Sequence, residues 1–195
     1  MSPFHLGILG SGKGSNFRAI LEAIAAGRLQ ASVAIVCSDV ADAGILEIAH
    51  RAGIATSVIE EKRFRTRLSP ETEIGLVQRL RDAGVNLVVL AGYMRLLKAP
   101  MLEAFPRRII NIHPALLPKF PGLEAWRQAL EAGETLTGCT VHFVDEGMDS
   151  GEIIAQASVP VLPGDSPALL HARIQEAEHK LYPEVIQRFV RGELP

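Results

Sequence analysis

Apolar residues recur along the chain in two alternating rhythms. Phe4 to Leu9 is a short apolar run ending in glycines, and Phe17 to Ala26 then carries apolar residues at helical spacing, which predicts strand, loop and helix. Val33 to Ser38 (VAIVCS) predicts a second strand, Ala43 to Ala52 a second helix, and Thr56 to Glu60 a short third strand. Ser69 can cap a helix that Pro70 begins and that runs to about Ala83, ahead of the β-branched run Leu87 to Gly92.

Beyond Arg108 the rhythm changes. RIINIH predicts a strand that stops at Pro114, because proline cannot donate to a ladder, and HPALLPKFPG carries too much proline for a helix or a central strand. TGCTVHFVD and GEIIAQASVPV then read as two strands joined by the turn-rich EGMDSG, an antiparallel addition to the sheet. A last helix spans roughly Pro167 to Arg191, and Pro183 in its interior predicts a bend or a split. Alternating strands and helices imply a parallel sheet covered on both faces. The expected class is α/β, a mostly parallel, Rossmann-like doubly wound sheet with an antiparallel C-terminal addition, in one domain over residues 1–195.

Composition narrows the partners. With 48% of 195 residues hydrophobic and 22% charged, the chain can bury a core and is not disordered. Twenty Lys and Arg against 22 Asp and Glu give no positive field for gripping a phosphate polymer, so nucleic acid is not expected as a partner. Cys37 and Cys139 each lie in an apolar run and read as buried, reduced thiols. The opening residues MSPFHLGILG hold neither a basic leader nor a long apolar stretch, and no run of about 18 apolar residues suggests a membrane span. A cytoplasmic location with no membrane partner is expected.

Three stretches carry candidate chemistry. GILGSGKGSN, residues 7 to 16, lies where a first strand meets a first helix, and such a turn lets backbone N–H groups approach an anion at the positive helix terminus. The dinucleotide fingerprint fails at Ser15, where glycine or alanine is required, and the nucleotide-loop spacing from Gly7 fails at Gly14, where a magnesium-binding hydroxyl is required. A small phosphate ester remains the best guest, with a plain tight turn as the alternative. Asn111 and His113 stand two apart at the end of a predicted strand, so both side chains share one face, and an amide beside a titratable imidazole suits oxyanion stabilisation with proton transfer. A buried histidine with a capping asparagine is the bland alternative. DEGMDSGE, Asp145 to Glu152, is an acidic loop. A carboxylate from it beside His113 would raise the imidazole pKa, whereas a solvated turn would do nothing. His5, His50, His113, His142, His171 and His179 show no metal-ligand spacing, and no G-x-S-x-G elbow is present, so neither a metal nor a serine nucleophile is expected.

GSGKGSN, LAGYMRLL, NIHPALLPKFPG and GCTVHFVDEGMDSGEIIAQ, in this order, resemble the folate-dependent formyltransferases and, among them, the phosphoribosylglycinamide formyltransferase family of purine synthesis. The likeness runs from Phe4 to the last helix. It implies that 10-formyltetrahydrofolate is the co-substrate, that small molecules are the partners, and that no metal is needed. It implies Asn111, His113 and Asp149 as the catalytic trio, with Asp149 keeping His113 partly protonated. Gly14, Ser15 and Asn16 would hold the ribonucleotide phosphate, with Gln175 and Glu178 on the last helix and Glu178 near the substrate amine. Met94, Arg95, Leu96 and Leu97 would form one folate wall and Asp145, Glu146, Gly147, Met148 and Asp149 another, with Arg67 as a further contact and Asn111 facing the same ligand. A cis bond before Pro118 is also implied.

Two residues depart from that family's pattern: Lys13 where asparagine is frequent, and Ser150 where glycine often follows the catalytic aspartate. Rival readings are a formyltetrahydrofolate hydrolase, which usually carries a regulatory domain in front, and a transfer-RNA formyltransferase, which carries a basic domain behind. A non-catalytic nucleotide-binding domain using only the Gly14 loop is the rival from another class. The sequence leaves monomer and homodimer equally open.

Overall fold

A computed structural model describes residues 3–195; Met1 and Ser2, which open the stretch read above as lacking a leader, lie outside the described residues. The elements are β1 (His5–Leu9), α1 (Ser15–Ala25), β2 (Ser32–Ser38), α2 (Gly44–Arg51), β3 (Ala55–Val58), α3 (Pro70–Asp82), β4 (Leu87–Leu90), α4 (Ala99–Ala104), β5 (Ile109–His113), α5 (Ala125–Glu131), β6 (Leu136–Phe143), β7 (Ile153–Pro160) and α6 (Pro167–Val190). The seven strands form one sheet in the order β3-β2-β1-β4-β5-β6-β7. The five strands up to β5 pair in parallel, whereas β6 runs antiparallel to both β5 and β7. The α/β class and the antiparallel addition both match the sequence reading.

Period-two alternation sorts the strand residues onto two faces. Leu6, Ile8, Leu87, Val89, Ile110 and Ile112 face a core closed by α1, α2 and α6, while Leu9, Val88, Leu90 and Ile109 face a second core closed by α3 and α4. Buried strands of this kind read as continuous apolar runs, which is why β1, β4 and β5 are visible in the sequence. Cys37 and Cys139 are buried and unpaired, and burial pushes both thiols up to about 12.

Helix starts follow local chemistry. The Ser69 hydroxyl accepts from the Thr72 N–H at 3.3 Å ahead of Pro70, and Ser166 does the same for Leu169 ahead of Pro167. Pro183 neither ends nor divides α6, contrary to the expected split. An interior proline costs about 3 kcal/mol, but burying each large apolar side chain stabilises by roughly 1.5–3 kcal/mol. Ile174, Val185, Ile186 and Phe189 are all buried against the sheet, so packing outweighs the lost hydrogen bond. The short helices α4 and α5, of six and seven residues, were not predicted; neither is long enough to display a helical period.

Strand order reverses between β1 and β4, and open α/β sheets bind ligands in the crevice beyond the carboxyl ends of strands at such a point. The loops over residues 10–14 and 91–98 emerge there, after β1 and β4, and the loop over residues 114–124 leaves the same edge one strand further on, after β5.

Candidate active site

Asn111 and His113 occupy alternate positions of β5, so they share a face as predicted. The β5–β6 register sets Asn111 opposite His142 and His113 opposite Thr140. Asp149 reaches the same spot from the loop between β6 and β7 and is its hub. Its Oδ2 lies 3.2 Å from His113 Nδ1 and accepts from the Gly122 N–H at 2.9 Å. Its Oδ1 accepts from Asn111 Nδ2 at 3.4 Å and lies 3.6 Å from His142 Nε2. Asp149 holds this place at φ +53°, a left-handed backbone that aspartate tolerates better than most residues.

Hydrogen-bond partners fix the tautomers. The His113 Nε2–H donates to the Phe120 carbonyl at 2.8 Å, which leaves Nδ1 as the basic nitrogen on the line to Asp149. The His142 Nδ1–H donates to the Phe143 carbonyl at 2.8 Å, so its Nε2 accepts from Asn111 Nδ2 at 3.2 Å. Asn111 is thereby turned with its amide hydrogens toward the cluster.

Asp149 does raise the His113 pKa, as expected, but the expectation that His113 therefore titrates above its ordinary value is overturned. Burial lowers it below the ordinary histidine value, by more than the Asp149 charge and the Phe120 carbonyl raise it. Burial also pushes the Asp149 carboxyl up, but the neighbouring His142 ring, the charge of His113 and the Gly122 N–H together hold it below the usual carboxylate value. The lowered value weights His113 toward the neutral imidazole beside an ionised Asp149, a base whose Nδ1 can take a proton next to that carboxylate.

The proline-rich loop is pinned behind this cluster. Leu117–Pro118 is cis, as the resemblance implied. The buried Thr140 hydroxyl donates to the Ala115 carbonyl at 2.7 Å and accepts from the Leu117 N–H at 3.0 Å, while Gln156 Nε2 donates to the Leu117 carbonyl at 2.9 Å. The loop in turn delivers the Phe120 carbonyl to His113.

At the α1 end, Gly14 caps the helix at φ +79°, and a Cβ there would meet the Ile45 Cα at 3.0 Å. Ser15 and Asn16 form the first turn, whose N–H groups lack helical partners and suit an anion. Lys13 is exposed beside them, so its charge adds to that field. Asn16 Nδ2 donates to Glu178 Oε2 at 2.9 Å, while Asn16 Oδ1 is buried without a partner among the described residues and can accept from a ligand. Burial pushes the Glu178 carboxyl up to about 7 despite the Asn16 hydrogen bond. Gln175 is half-buried one turn earlier on α6.

The two loops matched to folate walls carry the exposed apolar side chains Met94 and Met148, each 59% accessible. Lys98 links the loops, donating from Nζ to the Glu146 carbonyl at 2.7 Å, while its own N–H donates to the buried Glu73 at 2.7 Å. Leu96 is half-buried, but the Leu97 side chain belongs to the second core, so only its backbone is available to a ligand. Arg67 is exposed and stacks over Phe64, whereas the Arg95 guanidinium is taken up by protein partners. Asp145 Oδ1 accepts from the Gly147 N–H at 3.0 Å and from the Ser150 hydroxyl at 2.8 Å. Ser150, one of the departures noted above, thus braces the loop, and a Cβ at Gly147 would collide with its hydroxyl at 2.0 Å.

His142, Thr140 and the Phe120 carbonyl were not singled out for this site from sequence. The available signal was Thr140 and His142 alternating inside the otherwise apolar strand TGCTVHFV, since polar groups buried at period two need partners.

Residues 5–186 match the model of the formyl transferase family. The chain is 48% identical over 189 residues to the trifunctional purine biosynthetic protein adenosine-3 of Drosophila pseudoobscura pseudoobscura, covering 96% of this chain but only 14% of that much longer protein. It is 43% identical to the phosphoribosylglycinamide formyltransferase of Escherichia coli (strain K12), covering 96% of this chain and 87% of the other. The crystal structure of glycinamide ribonucleotide transformylase 1 from Symbiobacterium toebii superposes with a TM-score of 0.92 at 52% identity, covering 97% and 89% of the two chains. A family match over nearly the whole chain, joined to the Asn111, His113 and Asp149 cluster at the carboxyl end of β5, shows that the chain belongs to the formyl transferase family.

Proposed function

We propose that the chain is a phosphoribosylglycinamide formyltransferase, a single domain over residues 1–195 acting on small molecules in the cytoplasm. It transfers the formyl group of 10-formyltetrahydrofolate to the amine of glycinamide ribonucleotide, giving formylglycinamide ribonucleotide and tetrahydrofolate. The observation that carries this reading is the hydrogen-bonded cluster of Asn111, His113 and Asp149, with an anion-ready helix start on one side and two apolar-faced loops on the other. The unpartnered Asn16 oxygen and the buried Glu178 carboxylate suit an amine-bearing ribonucleotide, and exposed Met94 and Met148 suit the faces of a flat ring system.

Formyl transfer passes through a tetrahedral carbon whose oxygen carries negative charge, so donors must aim at that oxygen. Asn111 Nδ2 is one. Its 3.4 Å contact with Asp149 is the longest hydrogen bond of the cluster and the one that can give way to substrate. The attacking amine must lose a proton, and neutral His113 takes it at Nδ1, where Asp149 stabilises the imidazolium that forms. The same proton then serves the departing folate nitrogen. Because folate carries the one-carbon unit, the step calls for no metal.

Purified protein supplied with 10-formyltetrahydrofolate should turn over only when glycinamide ribonucleotide is added. Deformylation that ignores the ribonucleotide would favour a hydrolase, and no turnover at all would favour a binding domain.

A further inference from the structure

Three loops of the crevice converge on Asp39, the first residue beyond β2. Its Oδ1 accepts from the Ser11 hydroxyl at 2.6 Å and its Oδ2 from Arg95 Nε at 2.6 Å. Ser11 follows the end of β1 by two residues, three before Gly14, and its Oγ also accepts from the Met94 N–H at 3.0 Å. Arg95 Nη1 donates to the carbonyls of Phe64 and Arg67. The Leu96 N–H completes the join, donating to the Thr66 carbonyl at 2.8 Å.

The ion pair is nearly enclosed, with the Arg95 and Asp39 side chains 11% and 7% exposed. Enclosed charges keep their place only while paired and hydrogen-bonded, so this pair fixes geometry more than it adds stability. It also bridges the crevice where the strand order reverses: Ser11 stands beyond β1, Met94 and Arg95 beyond β4, and Asp39 beyond β2.

We propose that Asp39 is a positioning residue that sets the Met94–Leu97 wall in register with the Gly14–Asn16 loop. The inference rests on the reading that the wall takes folate and the loop takes the ribonucleotide. One carboxylate, touching neither substrate, then fixes the distance between formyl donor and acceptor amine. The loop itself is held separately, by α1 and by the Asn16–Glu178 hydrogen bond, so losing Asp39 frees the wall and spares ribonucleotide binding.

The test is Asp39→Asn and, as a milder variant, Ser11→Ala, which keeps the ion pair and removes only the hydroxyl bridge. Misplacing reacting groups by about 1 Å costs on the order of 100-fold in rate. Asp39→Asn should therefore lower kcat by about 10- to 100-fold and raise the folate KM, with ribonucleotide affinity, measured by direct binding, unchanged. Ser11→Ala should lower kcat with its melting temperature unchanged, a split that a merely structural role does not produce. The inference is overturned if Asp39→Asn, folded at the assay temperature, keeps kcat and both KM values, or if activity only follows the folded fraction. Should Asp39→Asn not fold, a Ser11→Ala enzyme with wild-type kcat overturns it. Wild-type protein in the same assay separates the two claims: if it makes no formylated ribonucleotide, the functional reading fails first.

Discussion

Replacing Asp149 by asparagine removes a charge and almost nothing else, since asparagine also tolerates the left-handed backbone at that position. The carboxylate lies 3.2 Å from His113 Nδ1, with the two side chains 13% and 5% exposed. Unit charges at that separation attract by about 5 kcal/mol at an effective dielectric of about 20. Much of that attraction is already spent, because Gly122, Asn111 and His142 also surround the carboxylate. An opposite charge at this range usually moves a pKa by about 1–3 units, at about 1.4 kcal/mol per unit. The imidazolium formed during transfer should lose that much support, so kcat should fall by about 10- to 1000-fold, with ribonucleotide affinity nearly intact. The pH dependence has a definite sign. His113 acts as a base held below its ordinary value, so wild-type rate should rise as pH climbs through that lowered pKa and level off above it. In Asp149→Asn the rise should move to still lower pH, and NMR on labelled histidine should show the same shift for the ring itself. A variant with wild-type kcat, or a His113 pKa that stays put or rises, would refute the reasoning.

Gly14→Val forces a branched side chain into a left-handed position 3.0 Å from the Ile45 backbone, so steady-state kinetics should show the ribonucleotide KM rising far more than the folate KM. His142→Phe keeps the ring and removes the acceptor for Asn111 Nδ2; one such hydrogen bond is worth about 0.5–1.5 kcal/mol, and kcat should fall up to about tenfold with both KM values little changed. Glu73 is enclosed, and burial raises its carboxyl pKa more than Lys98 lowers it, so the folded state holds the proton more tightly than the unfolded state. The resulting cost is absent below the ordinary carboxylate value and grows as pH rises through the raised one. Glu73→Gln, which can still accept from the Lys98 N–H, should therefore melt higher than wild type at pH 8 and about level with it at pH 4 in thermal scans.

The parallel half of the fold was legible because buried parallel strands leave unbroken apolar runs and the long helices complete several turns. Helices α4 and α5 were not, being too short for a period to show. Asn111 and His113 could be paired from period two and their place at a strand end, whereas Asp149 was reached only through the family likeness, because an acidic turn has no local mark of catalysis. His142 needed the antiparallel register that brings it opposite Asn111 from 31 residues away. Arg95 was expected at the ligand, yet its side chain turns to Asp39, 56 residues earlier, a partner that no local pattern announces. The direction of the His113 shift was misjudged for a related reason: a charge partner can be guessed from sequence, but the depth at which the pair is enclosed belongs to the tertiary structure.

The most direct test of the account follows the one-carbon unit itself. Protein given 10-formyltetrahydrofolate labelled with carbon-13 in the formyl group, together with glycinamide ribonucleotide, should move the label into a formamide on the ribonucleotide amine, detected by NMR, with no free formate. Asn111→Ala should slow that appearance by about 100- to 1000-fold, the value of one oxyanion donor. Label emerging as formate, or reaching the ribonucleotide equally fast in wild type and Asn111→Ala, would contradict the account.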